Sequence, residues 1–297
     1  MKLIENYRYP YSAITSRPNF CWPNGEKLAV YVGLNIEHFS FSSGLGAQLA
    51  PSIGNGPDVL NYAWRDYGNR VGAWRLASMF DQLDFPLSLL VNTTAYEYCP
   101  ELIERFRLRG DEIVAHGRTN SETQNELSEI DEAKLVADVT KIITEKEGKP
   151  PEGWLGPWIA ESDLTPDLLQ ESNYQYLLDW CHDDQPIWMK TRRGKILSVP
   201  YPQELNDIPA IMVRKNTAEE FADMIIDNFD EMLEQSHEGP LVMGIAIHAY
   251  IVGQPFRLRH FRRALAHISK HRGSVWLTNA GSIASHYAGL GDNSLKI

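Results

Sequence analysis

The chain has 297 residues, is 43% hydrophobic and 23% charged, and carries a formal net charge of −11. Such a length builds a large core without disulfides or structural metals. The acidity, with no Lys/Arg-rich run, excludes an electrostatic case for nucleic acid and disfavours anionic membranes.

Three scattered cysteines, Cys21, Cys99 and Cys181, make no CxxC or CxxxC pattern, which argues against a zinc knuckle or redox pair and fits reduced thiols. No basic segment followed by an apolar stretch opens the chain, and no run of 18 apolar residues occurs, so a cytoplasmic protein with no membrane partner is expected.

Residues 1–26 are irregular and rich in Pro, Tyr and Asn, and read as an arm over a core. Lys27–Ile36 is mostly apolar without helical period, which predicts a buried parallel strand ending in Asn35, Glu37 and His38. Residues 40–70 read as a long loop whose aromatics favour a packed lid. A helix is expected over 70–83 and a strand over 86–91. Next come a helix over 99–109 with Pro100 in its first turn, and a short strand 111–115 leading into His116. Ser128 starts a helix running to Lys146. Gly153–Trp158 is a strand end and turn, 165–173 a helix capped by Thr165, and 176–180 a strand followed by Asp183 and Asp184. A strand over 196–200, an amphipathic helix over 217–235, the apolar strand Leu241–Ile247 and His248 follow. Helix 257–271, strand 274–277 and a short helix over 279–287 complete the chain.

Strand and helix alternate about seven times, which argues for a parallel sheet with crossover helices in one α/β domain, a closed or nearly closed barrel over 27–297. Polar residues recur at the strand ends, which converge on one face of such a barrel. Glu37 in an aromatic-lined pocket would have a raised pKa and act as a general base. His248, after seven apolar residues, would deliver a proton to a leaving nitrogen, or else be a backbone-bonded core histidine. His116 and Arg118 flank Gly117 and could hold a carbonyl oxygen or carboxylate. Asp183 would orient a His or Arg, or be solvated. Trp154, Trp158, Trp180 and Tyr250 would wall a planar substrate, or else be core.

Five segments in order resemble the polysaccharide deacetylase superfamily: Leu34–His38, His116–Asn120, Gly153-Trp154, Asp179–Pro186 and Ile247–Arg257. The resemblance is strongest to the branch holding metal-independent allantoinases and cyclic imide hydrolases, and runs from about Lys27 to Tyr287, nearly the whole domain. It implies a distorted (β/α) barrel of about seven parallel strands. It also implies hydrolysis of a linear or cyclic amide and assembly into homo-oligomers, dimers or tetramers. Metal-dependent relatives carry two aspartates where this chain has Glu37 and His38, and a second histidine where it has Asn120; their third-motif arginine is Leu155 here. Asn is a weak zinc ligand, so no metal or cofactor is expected, with zinc as the alternative.

The reading is therefore a hydrolase of a non-peptide carbon–nitrogen bond in a small cyclic amide, imide or ureide. Glu37, His248 and His116 are catalytic; Asn35, His38, Arg118, Asn120, Trp154, Trp158, Trp180, Asp183 and Tyr250 bind substrate. Two alternatives remain: a metal-dependent N-deacetylase built on His38 and His116, and a non-catalytic binding protein.

Overall fold

The computed structural model describes residues 3–52, 54 and 56–291. Residues 1–2 of the expected arm, 53 and 55 of the expected loop, and 292–297 of the expected barrel lie outside the described residues. The strands are β1 Leu28–Ile36, β2 Ser88–Val91, β3 Glu112–Ala115, β4 Gly153–Trp154, β5 Tyr176–Leu177, β6 Ile187–Thr191, β7 Gly194–Ser198, β8 Leu241–His248 and β9 Trp276–Thr278. The helices are α1 Val59–Tyr67, α2 Ala73–Leu83, α3 Ala95–Tyr98, α4 Pro100–Arg107, α5 Glu129–Glu147, α6 Thr165–Glu171, α7 Ala218–Gln235, α8 Ala249–Val252, α9 Pro255–Ser269 and α10 Ala280–Gly289.

β1 is buried throughout and organises the sheet. β8 pairs with it in parallel along its length, from Leu28 opposite Leu241 to Asn35 opposite His248. The other edge of β1 is shared: β9 takes Ala29 to Tyr31, and β2 takes Gly33 to Ile36. The parallel order runs β7-β5-β4-β3-β2-β1-β8, which matches the expected strand number. Among the described residues the sheet curls without a ladder between its ends. Beyond β8 there is an isolated bridge, Asn206 to Ala246, and the Ala246 N–H donates to the Leu205 carbonyl at 3.0 Å.

Strand side chains alternate between two faces, and that parity separates two cores. Leu28, Val30, Val32, Leu34 and Ile36 pack outward with Leu76, Phe80 and Phe261 of the helices, whereas Ala29 and Tyr31 pack inward with Leu90, Val114, Leu155, Val199 and Tyr201. The surrounding helices bury the expected stripes: α7 hides Phe221, Ala222, Ile225, Phe229 and Met232 and starts on a Thr217/Glu220 capping box.

The structure departs from the sequence reading in three places. The expected loop over 40–70 contains α1, whose Asp58 cap accepts the Asn61 N–H. This helix buries Asn61 and Arg65 and exposes Val59 and Leu60, so its polarity runs opposite to the pattern that signals a helix. A strand was not expected at β6, which pairs antiparallel with β7 at the sheet edge. The strand expected over 176–180 stops at Leu177. The three cysteines are free thiols. No helix among the described residues is long and apolar enough to cross a membrane.

Candidate active site

The C-terminal strand ends and the loops after them surround a cavity of about 230 Å³ whose lining includes Asn35, Glu37, His116, Asn120, Tyr201, His248 and Tyr250. Strand parity explains the selection. Asn35 and Glu37 continue the inward row of Ala29 and Tyr31, His116 continues from Val114, and His248 follows Val242 and Ala246.

Glu37 is 6% exposed. Its Oε2 accepts the Tyr250 hydroxyl at 2.8 Å and its Oε1 accepts the Asn120 side-chain amide. His248 Nε2 stands 3.5 Å and His116 Nε2 3.7 Å from the same Oε1. Burial alone would raise the Glu37 pKa. The neighbouring imidazoles, His248 first and then His116, outweigh burial and lower it. The expectation of a raised value is thus corrected: the pocket is a polar cage of donors, and Glu37 is an anion in it.

His248 is clamped from behind. Its Nδ1–H donates to Asp207 Oδ1 at 2.7 Å, and its backbone N–H donates to Asp207 Oδ2 at 2.8 Å. Burial would lower the imidazole pKa, but Glu37 on one side and Asp207 on the other raise it to about 10. Burial also pushes the Asp207 carboxyl up, against the opposing pull of His248. Both its oxygens accept from fixed donors, so it sits as a carboxylate. The row Asp207–His248–Glu37 is an imidazolium between two carboxylates.

His116 is held differently. Its Nδ1 lies 2.7 Å from the Leu155 carbonyl, an acceptor only, so Nδ1 carries the proton. Its Nε2 is buried and has no hydrogen-bond partner. It stands 3.7 Å from the Glu37 carboxylate.

Fixed donors set the orientation of Asn120. The His38 backbone N–H donates to Asn92 Oδ1 at 2.8 Å, so the Asn92 NH₂ points the other way, to the His116 carbonyl and to Asn120 Oδ1 at 2.9 Å. Asn120 must then turn its NH₂ toward Glu37. An amide N–H there offers a cation no lone pair. Among the described residues, one trio of His, Cys or carboxylate side chains brings its ligand atoms within 4.8 Å of one another, and it lies elsewhere, at Asp230, His267 and His271.

Other expected site residues fall outside the pocket. His38 continues the outward row of β1 and stacks on Tyr98 with centroids 4.2 Å apart. Arg118 turns to Glu122, with bonds of 2.9 and 3.0 Å. Trp154 is on the outward face, fully buried edge-on against Tyr174; its inward neighbour Leu155 lines the cavity instead. Trp180 donates to Glu161 at 2.7 Å. Asp183 pairs with Arg17 of the arm at 2.6 and 2.7 Å, beside a larger cavity of about 690 Å³ under that arm. Asn35, Asn120, Trp158 and Tyr250 line the pocket.

Two pocket residues carry local strain. Trp158 and Ile159 have φ of +66° and +55°, and Gly117 has φ of +63° where a Cβ would lie 2.6 Å from Pro157 Cγ. The Trp158 Nε1–H donates to the Asn120 carbonyl at 3.0 Å, tying that loop to the amide row.

Sequence reasoning missed Asp207, Tyr201 and Asn92. Tyr201 lies just past β7, so the strand-end rule could have found it. Asp207 follows no strand, and nothing local marks it.

No family model matches the chain. A peptidoglycan deacetylase of Helicobacter pylori is 24% identical over 244 residues, 71% of this chain and 82% of that protein. A "probable polysaccharide deacetylase" from Pseudomonas aeruginosa superposes with a TM-score of 0.81 at 26% identity, covering 90% and 93% of the two chains. The PuuE allantoinase superposes with a TM-score of 0.83 at 24% identity over 95% and 98%. These similarities support the polysaccharide deacetylase superfamily and its (β/α)-barrel fold without selecting a branch, and their names are those of hydrolases acting on carbon–nitrogen bonds.

Proposed function

We propose that this chain hydrolyses a carbon–nitrogen bond in a small, neutral cyclic amide, imide or ureide without a catalytic metal. The observation that carries the reading is the Asn92–Asn120 row, which turns N–H groups rather than lone pairs toward Glu37. Neither lysine nor arginine lines the pocket, so an uncharged substrate suits it better than an anion. Its small volume and the walls formed by Leu155, Trp158, Ile159, Ile208 and Pro209 suit a ring rather than a polymer.

The groups present supply each proton movement. Glu37 Oε1 and His116 Nε2 stand 3.7 Å apart. A water held between them, donating one proton to Glu37, keeps a lone pair free to attack the carbonyl carbon. As the C–O bond forms, Glu37 takes the water proton. As the C–N bond breaks, the imidazolium of His248 protonates the nitrogen. Glu37 then returns its proton to His248 across 3.5 Å. The products are a carboxylate and a free amide or amine, and the carboxylic proton goes to solvent.

Tyr201 serves the carbonyl oxygen. Its hydroxyl accepts the Asn35 side-chain amide at 3.3 Å, and its own proton has no acceptor among the described residues. Burial and neighbouring acidic groups push its pKa up, so it keeps that proton. Such a donor aimed at a developing oxyanion typically contributes ~10²–10³ in rate.

The same reading includes a homodimer or homotetramer, for which the exposed Leu3, Ile4, Tyr7 and Tyr11 of the arm supply apolar surface; light scattering tests it. For the activity, chelator-treated protein is assayed on succinimide, hydantoin and allantoin and, separately, on N-acetylated sugar oligomers. Turnover of a ring substrate that survives chelation and disappears in Glu37→Gln is expected. Deacetylation of the sugars alone, abolished by the chelator, would reverse the conclusion in favour of a metal-dependent deacetylase.

A further inference from the structure

Far from the pocket, α7 and α9 pack side by side. Both helices run antiparallel to the strands they flank, so their C-terminal ends lie at the face opposite the active site. There Asp230 of α7 meets His267 in the last turn of α9 and His271 just after it.

His267 and His271 are four apart, so on a continuing helical turn they share a face. Asp230 Oδ1 is 2.7 Å from His267 Nε2. One donor atom from each of the three residues lies within 4.8 Å of the other two. An ordinary ion pair needs His267 alone. It does not account for the second imidazole, whose ring nitrogens take no protein partner among the described residues. The buried ring of Phe229 backs both, 5.9 Å from the His267 centroid and 5.3 Å from that of His271, and so limits their rotation.

We infer that Asp230, His267 and His271 form a surface site for a zinc-class divalent cation that pins α7 to α9. Two imidazoles and one carboxylate are three protein ligands for a tetrahedral ion, with the fourth position left to water. Imidazole donors favour Zn²⁺, Cu²⁺ or Ni²⁺ over Mg²⁺ or Ca²⁺, which want oxygen. The ion replaces the shared proton of the Asp230–His267 bond, and its binding stabilises the native chain by mass action because the unfolded chain does not hold the three ligands together. The site is independent of the pocket chemistry. One consequence is practical: metal found in the purified protein does not by itself place an ion in the catalytic pocket.

The test uses the full chain, stripped with chelator and titrated with zinc chloride by calorimetry, alongside melting curves at rising zinc concentration. One zinc per chain is expected, with a melting temperature that climbs with the logarithm of free zinc. The double variant His267→Ala/His271→Ala should lose both responses while melting as the parent does without zinc, and Asp230→Asn, which keeps both histidines, should bind more weakly. Absence of saturable uptake by the parent overturns the site, and so does a variant pair that still takes up one zinc per chain. Magnesium in place of zinc should give no response.

Discussion

Replacing Asp207 with Asn tests whether His248 works as an imidazolium. Asp207 accepts two hydrogen bonds from one residue, from Nδ1–H at 2.7 Å and from the backbone N–H at 2.8 Å. An asparagine offers an acceptor to one of these and an NH₂ to the other. One buried N–H then loses its partner, at a cost of roughly 1–3 kcal/mol in stability. The larger effect is electrostatic. Two carboxylates hold the imidazole at about 10 against the opposing pull of burial. Removing one opposite charge at this range moves a pKa by roughly 1–3 units, so the basic limb of kcat/KM should fall from about 10 to roughly 7–9. The limb of kcat/KM reports the free enzyme, which is the state described here. Activity depends on the protonated ring, so it is present below that pKa and is lost as pH rises through it. The variant's deficit should therefore widen as pH rises from neutral and level off above pH 10 at roughly 10–10³-fold, the range set by a shift of roughly 1–3 units. Titration of the His248 ring by NMR gives the same answer without a substrate. A deficit that is flat across this range, with the limb still near 10, would falsify the assignment of His248 as the acid.

Stability carries the same sign. The folded pKa of His248 lies above the unfolded value near 6.5, so its contribution is fully present below that pH and is lost as pH climbs through about 10. Denaturant midpoints of the parent should fall over that window, and those of Asp207→Asn should fall less and earlier. Tyr201→Phe should lower kcat by ~10²–10³ with KM changed by less than tenfold, because the lost donor acts on the developing oxyanion; equal loss in KM alone would make it a binding residue. Gly117→Ala forces a side chain into the left-handed region and 2.6 Å from Pro157 Cγ, and should destabilise by roughly 1–3 kcal/mol in urea while loosening the Trp158 loop. Arg8→Ala removes a cation from a buried 2.9 Å pair with Asp167 whose side chains are 3% and 6% exposed. Asp167 still accepts the Arg192 backbone N–H at 2.7 Å, so the loss is at most roughly 3–5 kcal/mol, and faster proteolytic nicking of the arm near Arg8 is the expected readout.

The chain's apolar runs and their alternation with helical stripes determined the layered α/β architecture, because strand and helix periods are properties of neighbouring residues. They also put Glu37, His116 and His248 at strand ends, where a parallel barrel gathers polar groups. Parity along each strand was legible too: it separates Glu37 from His38 and Leu155 from Trp154, and only the length of the strands had to be known to apply it. The tertiary structure alone decided the rest. Asp207 reaches His248 from 41 positions away along the chain, and no local pattern encodes that approach. Burial taken residue by residue predicts a raised pKa for Glu37. The lowered value comes from two imidazoles delivered from the ends of β8, which pairs with β1, and β3, one strand beyond β2 on the other side. Charge interactions depend on distance in space, and distance in space is what the fold supplies.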